Sequence, residues 1–282
     1  MKGSLKLGTA FGIGIYVHWS FLLLPAWVFF TTWGIFGPPM ILYLLVLLVA
    51  IFGCVVLHEL GHALMARYFG IGTRDITLYP IGGVARLESM SERPHEEILI
   101  ALAGPAVNVA IAAILITLLI LSGGLFGWAA LTKSMSGGFL LSLLTANLML
   151  VGFNLLPAFP MDGGRVLRAL LAGPLGRVRA TEIAAAAGVV MAVLFAAAGM
   201  FLLKNPMLVV VAVFVFFAGQ QELAAVRRRE AVRRLAPIDV LPADDEPAQP
   251  LGFSGFVWDH RGRVWVLWQN GRPVATYGFP PE

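Results

Sequence analysis

Charge is scarce in this chain of 282 residues: Asp, Glu, Lys and Arg make up 13% of it, about half the share usual in a soluble domain. With 59% hydrophobic residues and a mean hydropathy of +0.83, that scarcity excludes an ordinary soluble globule and requires a membrane-embedded one. Cysteine is nearly absent. Cys54 lies in an apolar run with no second cysteine to pair with, which excludes a disulfide-stapled fold and makes it a small buried hydrophobe. No small-residue cleavage pattern follows Lys2 and Lys6, and the apolar stretch after them contains Pro25 and several Trp, so it reads as an uncleaved span rather than a signal peptide. The helices show no internal repeat, which weakens an inverted-repeat transporter reading. The net charge of +4 is better explained by membrane topology than by nucleic-acid binding, and no nucleic-acid partner is expected.

What the chain has in abundance is apolar runs of bilayer length. From Ala10 to Ala66 the only Asp, Glu, Lys, Arg or His residues are His18, His58, Glu59 and His62. That is room for two spans, about 17–35 and 39–66, broken by a Gly-Pro-Pro turn. A third span runs over about 97–121, opened by Ser91 as a cap, Pro94, and Glu96 and Glu97 in the first turn, where acids suit the helix dipole. Residues 123–138, rich in Gly and Ser, read as a loop. A fourth span covers about 139–156, and the fifth and sixth cover about 183–203 and 206–226. Loop charges support this division. With a cytoplasmic N-terminus, the cytoplasmic segments 1–16, 67–96, 157–182 and 227–282 hold all of the 20 Lys and Arg except Lys133 and Lys204, as the positive-inside rule requires. The expected fold is therefore an α-helical multi-pass membrane protein of about six transmembrane helices with both termini cytoplasmic, in the cell membrane. Its densest basic cluster, Arg227 to Arg229 with Arg233 and Arg234, anchors on anionic headgroups of the bilayer.

Three divisions follow: a membrane core over 1–235, a Pro-rich acidic linker over 236–252, and a small β segment over 253–282. Within the last, turn signals at 260–262 and Asn270-Gly271 separate strand-like runs carrying Trp258, Trp265 and Trp268, which predicts a three-stranded meander. So small a sheet is marginal alone. It should dock on the membrane domain or on another copy of the chain, as in a homo-oligomer.

Chemistry concentrates in His58-Glu59-Leu60-Gly61-His62, at the cytoplasmic end of the second span. Histidines at i and i+4 share a helix face, so both imidazoles reach one Zn2+ while the Glu at i+1 lies beside the metal's water. A structural polar cluster is a poor alternative, since each ionisable group deep in a bilayer costs roughly 2.5–3.5 kcal/mol. A catalytic zinc usually takes three protein ligands. The acidic candidates for the third are Asp162, Glu182 and Glu222. Asp162 is best placed, because Pro157 and Pro160 stop the fourth helix and Gly163-Gly164 permits a turn, presenting a carboxylate from irregular backbone at the histidines' depth.

These elements resemble the site-two protease family of intramembrane zinc metalloproteases. The resemblance rests on the HELGH segment, on Gly104-Pro105-Ala106-Val107-Asn108 in span three, and on Asn154 through Asp162-Gly163, in the family's order, and it covers roughly residues 5–225. It implies one Zn2+ per chain on His58, His62 and Asp162, Glu59 as catalytic base, and cleavage of a peptide bond in or near the transmembrane segment of a membrane-protein substrate. It also implies that Tyr79 to Leu87, with Ile81, Gly82, Gly83 and Val84, forms a re-entrant hairpin near the active site, where a partly unwound substrate is held along an exposed edge. The chain departs from the family in having no inserted PDZ-like domain between the motifs and no nucleotide-sensing pair of domains at the C-terminus. In the mechanism Glu59 accepts the water proton and passes it to the leaving amine, and Asn108 and Asn154 supply oxyanion or substrate-positioning donors. The competing class is a metal-binding membrane protein or transporter without peptidase activity, which needs ligands but no base beside them.

Overall fold

A computed structural model describes residues 3–89, 91, 93–121, 135–235, 252–259 and 264–278. Two strands come first, β1 (Ser4–Ala10) and β2 (Ile13–His18), joined through Phe11 and Gly12, both with positive φ. A 3-10 turn (Trp19–Leu22) leads into α1 (Leu23–Thr32) and then α2 (Pro38–Tyr68), which opens on Pro38 and Pro39, where a missing N–H costs nothing. The hairpin β3 (Thr73–Tyr79) and β4 (Gly82–Leu87) follows, then α3 (Pro94–Leu121) with Glu96 and Glu97 in its first turn. The remaining helices are α4 (Met135–Asn154), α5 (Asp162–Leu175), α6 (Arg177–Ala197), continued by a π-helical turn over Ala198–Leu202, and α7 (Pro206–Leu235). Strands β5 (Gly255–Asp259), β6 (Val264–Gln269) and β7 (Arg272–Gly278) close the chain.

The fold is mostly helical, with two β-sheets. Among the described residues four helical stretches are long and apolar enough to cross a membrane: Pro38–Tyr68, Pro94–Leu121, Arg177–Leu202 and Pro206–Ala231. The apolar helices Trp19–Thr32 and Gly138–Asn154 are shorter. The second, third, fifth and sixth expected spans therefore match long helices, except that the fifth begins six residues early and the sixth helix runs nine residues past its expected end, to Leu235. The first does not: residues expected to lead into and begin it form β1 and β2, and the helix itself starts only after His18. Alternation in Leu5-Lys6-Leu7 and β-branched Ile13, Ile15 and Val17 carried that strand signal. Residues 135–138 of the expected loop are already helical; 123–134 lie outside the described residues, as do most of the linker and the turn at His260.

The first sheet has the order β1-β2-β3-β4, with β2 and β3 parallel and the outer pairs antiparallel, so β4 is an edge strand. It packs on the second half of α2, where Ile13 and Ile76 bury against Leu60 and Ala63. Helix α3 is the hub, contacting α2, α4 and α5. Its approach to α2 is close because Gly61 has no side chain: a Cβ there would lie 2.7 Å from the Ala103 carbonyl oxygen. By contact the chain divides into two units, Met1–Gly219 and Gln220–Glu282. In the second, the meander is present in the order β5-β6-β7, and Asn270 and Gly271, both at positive φ, make the β6–β7 turn.

Candidate metal centre

The site is assembled by three helices. His58 and His62 lie one turn apart on α2 and are buried, and Asp162, also buried, is the first residue of α5. Asp162 was expected on irregular backbone. The helix instead starts at that residue, behind Met161 as N-cap, because Gly163 and Gly164 let the first turn press against the preceding loop. A Cβ on Gly163 would meet the Leu156 and Leu155 carbonyl oxygens at 2.3 and 2.4 Å, and one on Gly164 the Ala158 backbone at 2.5 Å. The two glycines thus set the height of the carboxylate rather than a turn after it.

Asp162 Oδ2 lies 3.2 Å from His58 Nε2 and 3.1 Å from His62 Nε2, and the two Nε2 atoms are 3.0 Å apart. The chemistry of these atoms shows what belongs between them. His62 Nδ1 faces the Ile100 carbonyl at 2.7 Å, and since a carbonyl only accepts, Nδ1 carries the proton. His58 Nδ1–H likewise donates to Asn108 Oδ1 at 2.6 Å. Each neutral imidazole then has a bare lone pair on Nε2. With both imidazoles neutral, two lone pairs and a carboxylate oxygen converge on one point, an arrangement that a proton or a metal ion between them has to hold together. Tetrahedral zinc with bonds of about 2.0–2.1 Å sets its donors roughly 3.3 Å apart, close to the observed triangle. Gly104 on α3 forms the floor: a Cβ there would stand 2.2 Å from His62 Nε2 and 2.7 Å from His58 Nε2, inside the space a metal needs. Among the described residues this trio is the only group of three or more His, Cys, Asp or Glu able to hold a metal. Glu182 and Glu222 are not part of it.

Glu59 is half-buried on α2, and its Oε2 accepts the Ala85 N–H of β4 at 3.1 Å. Gly83 allows that contact, since a Cβ on it would meet Glu59 Cγ at 2.7 Å. The stretch Ile81 to Val84 is thereby brought beside Glu59, with Ile81 and Val84 exposed. Asn108 is fully buried and already engaged, accepting from His58 and donating through Nδ2 to Asn147 Oδ1 at 2.8 Å. Its place is behind a histidine. Asn154 donates to the Leu150 carbonyl of its own helix and is not brought to the trio.

Sequence reasoning overlooked Asn147, an amide in an apolar run and so a visible intramembrane polar residue. It overlooked also a buried ion pair, Arg168 of α5 to Glu97 of α3, in which Arg168 Nε lies 2.7 Å from Glu97 Oε1. Arg177 reaches the other oxygen of Glu97 at 3.5 Å.

A family model described as Peptidase family M50 matches residues 46–138 and 125–197. The chain is 34% identical to the zinc metalloprotease MJ0392 of Methanocaldococcus jannaschii, over 99% of this chain and 79% of that protein. It is 32% identical to the Mycobacterium tuberculosis protein Rip3, over 88% of this chain and 66% of that one. Among solved structures it is similar to the site-2 protease from Methanocaldococcus jannaschii, with a TM-score of 0.57 and 35% identity over 78% of this chain and 95% of that one.

Proposed function

The chain belongs to peptidase family M50 and is an integral membrane zinc metallopeptidase, and from that premise we propose that His58, His62 and Asp162 hold one Zn2+ with Glu59 as catalytic base. Its reaction is hydrolysis of a peptide bond in or near the transmembrane segment of a membrane protein. The observation that carries the site assignment is the convergence of two imidazole lone pairs and one carboxylate on a single point beside Glu59. A transporter or metal-binding membrane protein without peptidase activity has no use for that neighbouring base, and nothing in the similarities favours one.

Zinc held there supplies Lewis acidity toward a water and toward the scissile carbonyl. The Ala85 N–H fixes one oxygen of Glu59, leaving the other to take the water's proton and return it to the leaving amine. The substrate chain, once locally unwound, pairs along the outer edge of β4 at Ile81 to Val84, beside the Ala85 N–H that Glu59 already holds, which supplies backbone hydrogen bonds that helix unwinding removes. Asn108 acts from behind His58 as a positioning residue, and Asn154, at the end of α4, serves in substrate positioning.

For topology, the short helices Trp19–Thr32 and Gly138–Asn154 complete a six-span arrangement with both termini cytoplasmic, supported by the loop charges. Reporters fused after residue 133 and after Glu282 should then fall on opposite sides of the membrane; finding both on one side refutes it. The core spans 1–235, with a linker and the small sheet as an appendage. The site assignment is tested by cleavage of a transmembrane substrate in proteoliposomes. Glu59→Gln should abolish cleavage with zinc still bound; near-normal cleavage by that variant removes Glu59 from the mechanism.

A further inference from the structure

The tautomers of the two site histidines are controlled in different ways. For His62 the control is direct, because the Ile100 backbone oxygen opposite Nδ1 can only accept. His58 has an amide oxygen there instead, on Asn108, and an amide can present either end. Turned by half a revolution, Asn108 would offer N–H groups; His58 Nδ1 would have to accept, its proton would move to Nε2, and the lone pair facing Asp162 and His62 would be lost. Bulk solvent does not reach the pair to correct the mistake, since Asn108 and Asn147 are both 0% exposed. The direction of the Asn108 amide must be set from further back.

Asn108 Nδ2 donates to Asn147 Oδ1 at 2.8 Å. Asn147 is itself an amide, but its Nδ2 donates to the Leu143 carbonyl at 2.8 Å and lies 3.4 Å from Cys54 Sγ. A backbone carbonyl cannot donate. It therefore fixes Asn147 with its oxygen toward Asn108, which fixes Asn108 with its oxygen toward His58, which keeps the His58 proton on Nδ1. The chain crosses from α4 through α3 to α2 and runs in one direction only. We propose that Asn147 is a positioning residue for metal binding, setting the His58 tautomer through Asn108 from an anchor at the Leu143 carbonyl. The inference rests on the metal-site reading above and adds a residue that touches neither metal nor substrate.

The test uses the full-length protein in detergent micelles, with 15N-histidine NMR on the zinc-free form at a pH high enough that both imidazoles are neutral, and zinc affinity by chelator competition. In the wild type, His58 and His62 should both carry the proton on Nδ1. Asn147→Leu, similar in size but without an acceptor, should shift His58 toward the Nε2–H form, leave His62 unchanged, and weaken zinc binding about tenfold, the lower end for outer-shell partners. Asn147→Asp, whose neutral carboxyl both donates to Leu143 and accepts from Asn108, should restore both readouts. A purely structural role would move His58 and His62 together. An unaltered His58 tautomer and zinc affinity in Asn147→Leu overturn the proposal. If that variant does not fold, a wild-type His58 carrying its proton on Nε2 overturns it equally. Failure of the metal-site reading looks different: the wild type would then bind no zinc at all.

Discussion

Among the described residues, two buried polar clusters that meet on α3 differ in whether they are complete. The Glu97 cluster closes on itself: one carboxylate faces the Arg168 guanidinium, which also lies 4.9 Å over the Phe159 ring, and Arg177 comes from the flank. Donors meet acceptors and opposite charges meet. At the other cluster His58, His62 and Asp162 present acceptors to acceptors, with every available proton turned outward to Asn108 and Ile100. Both lie against α3, and both tie α5 to it or to α2. The difference separates structure from function: the balanced cluster fixes the helix that carries Asp162, and the unbalanced one is the place where a cation is required.

That comparison breaks in graded ways. The largest effect should come from the unbalanced cluster: His58→Ala or His62→Ala leaves two protein ligands, so zinc stoichiometry and cleavage should both fall to background. Gly104→Ala should have a similar effect without removing a ligand, because its Cβ would take the metal's space; zinc content measured beside a folded far-UV spectrum checks this. The balanced cluster should respond in stability first. Glu97→Gln leaves the fully buried Arg168 without its carboxylate, and breaking such a pair costs about 3–5 kcal/mol, read as a lower Tm in detergent. Replacing both partners with Leu should cost less than the single change, which a paired-charge account requires. Smallest at the metal should be deletion of residues 237–282: zinc stoichiometry should stay at one per chain, while substrate selection, oligomeric state or detergent stability changes. Loss of zinc from that folded truncation would place a ligand outside the core.

The asymmetry also explains what could be read from sequence. His58, Glu59 and His62 were legible because helix periodicity alone puts them together, and Asp162 because proline and glycine mark where it must be presented. The helices were legible from apolar length and their opening prolines over about 39–66, 97–121 and 206–226, though not the last helix's continuation to Leu235. Strands β1 and β2 were not, since residues 1–16 were read as a basic cytoplasmic segment leading into the first span and their short alternation was not used. The start of α5 at Asp162 was hidden by Gly163-Gly164, read locally as a turn but used for close packing on residues 155–158. Glu97 looked like a residue placed for the helix dipole. Its partner Arg168 lies 71 positions away, a pairing that no local pattern encodes. The same holds for Asn147, whose meaning depends on Asn108 standing opposite it.

The central claim is that three acceptors need one cation, and the metal content of the purified protein compared with its Asp162→Ala variant tests it most directly. The expected result is one zinc per wild-type chain and a large loss from the variant under identical chelator exposure. A wild type without zinc, or a variant that keeps zinc as firmly, would contradict it.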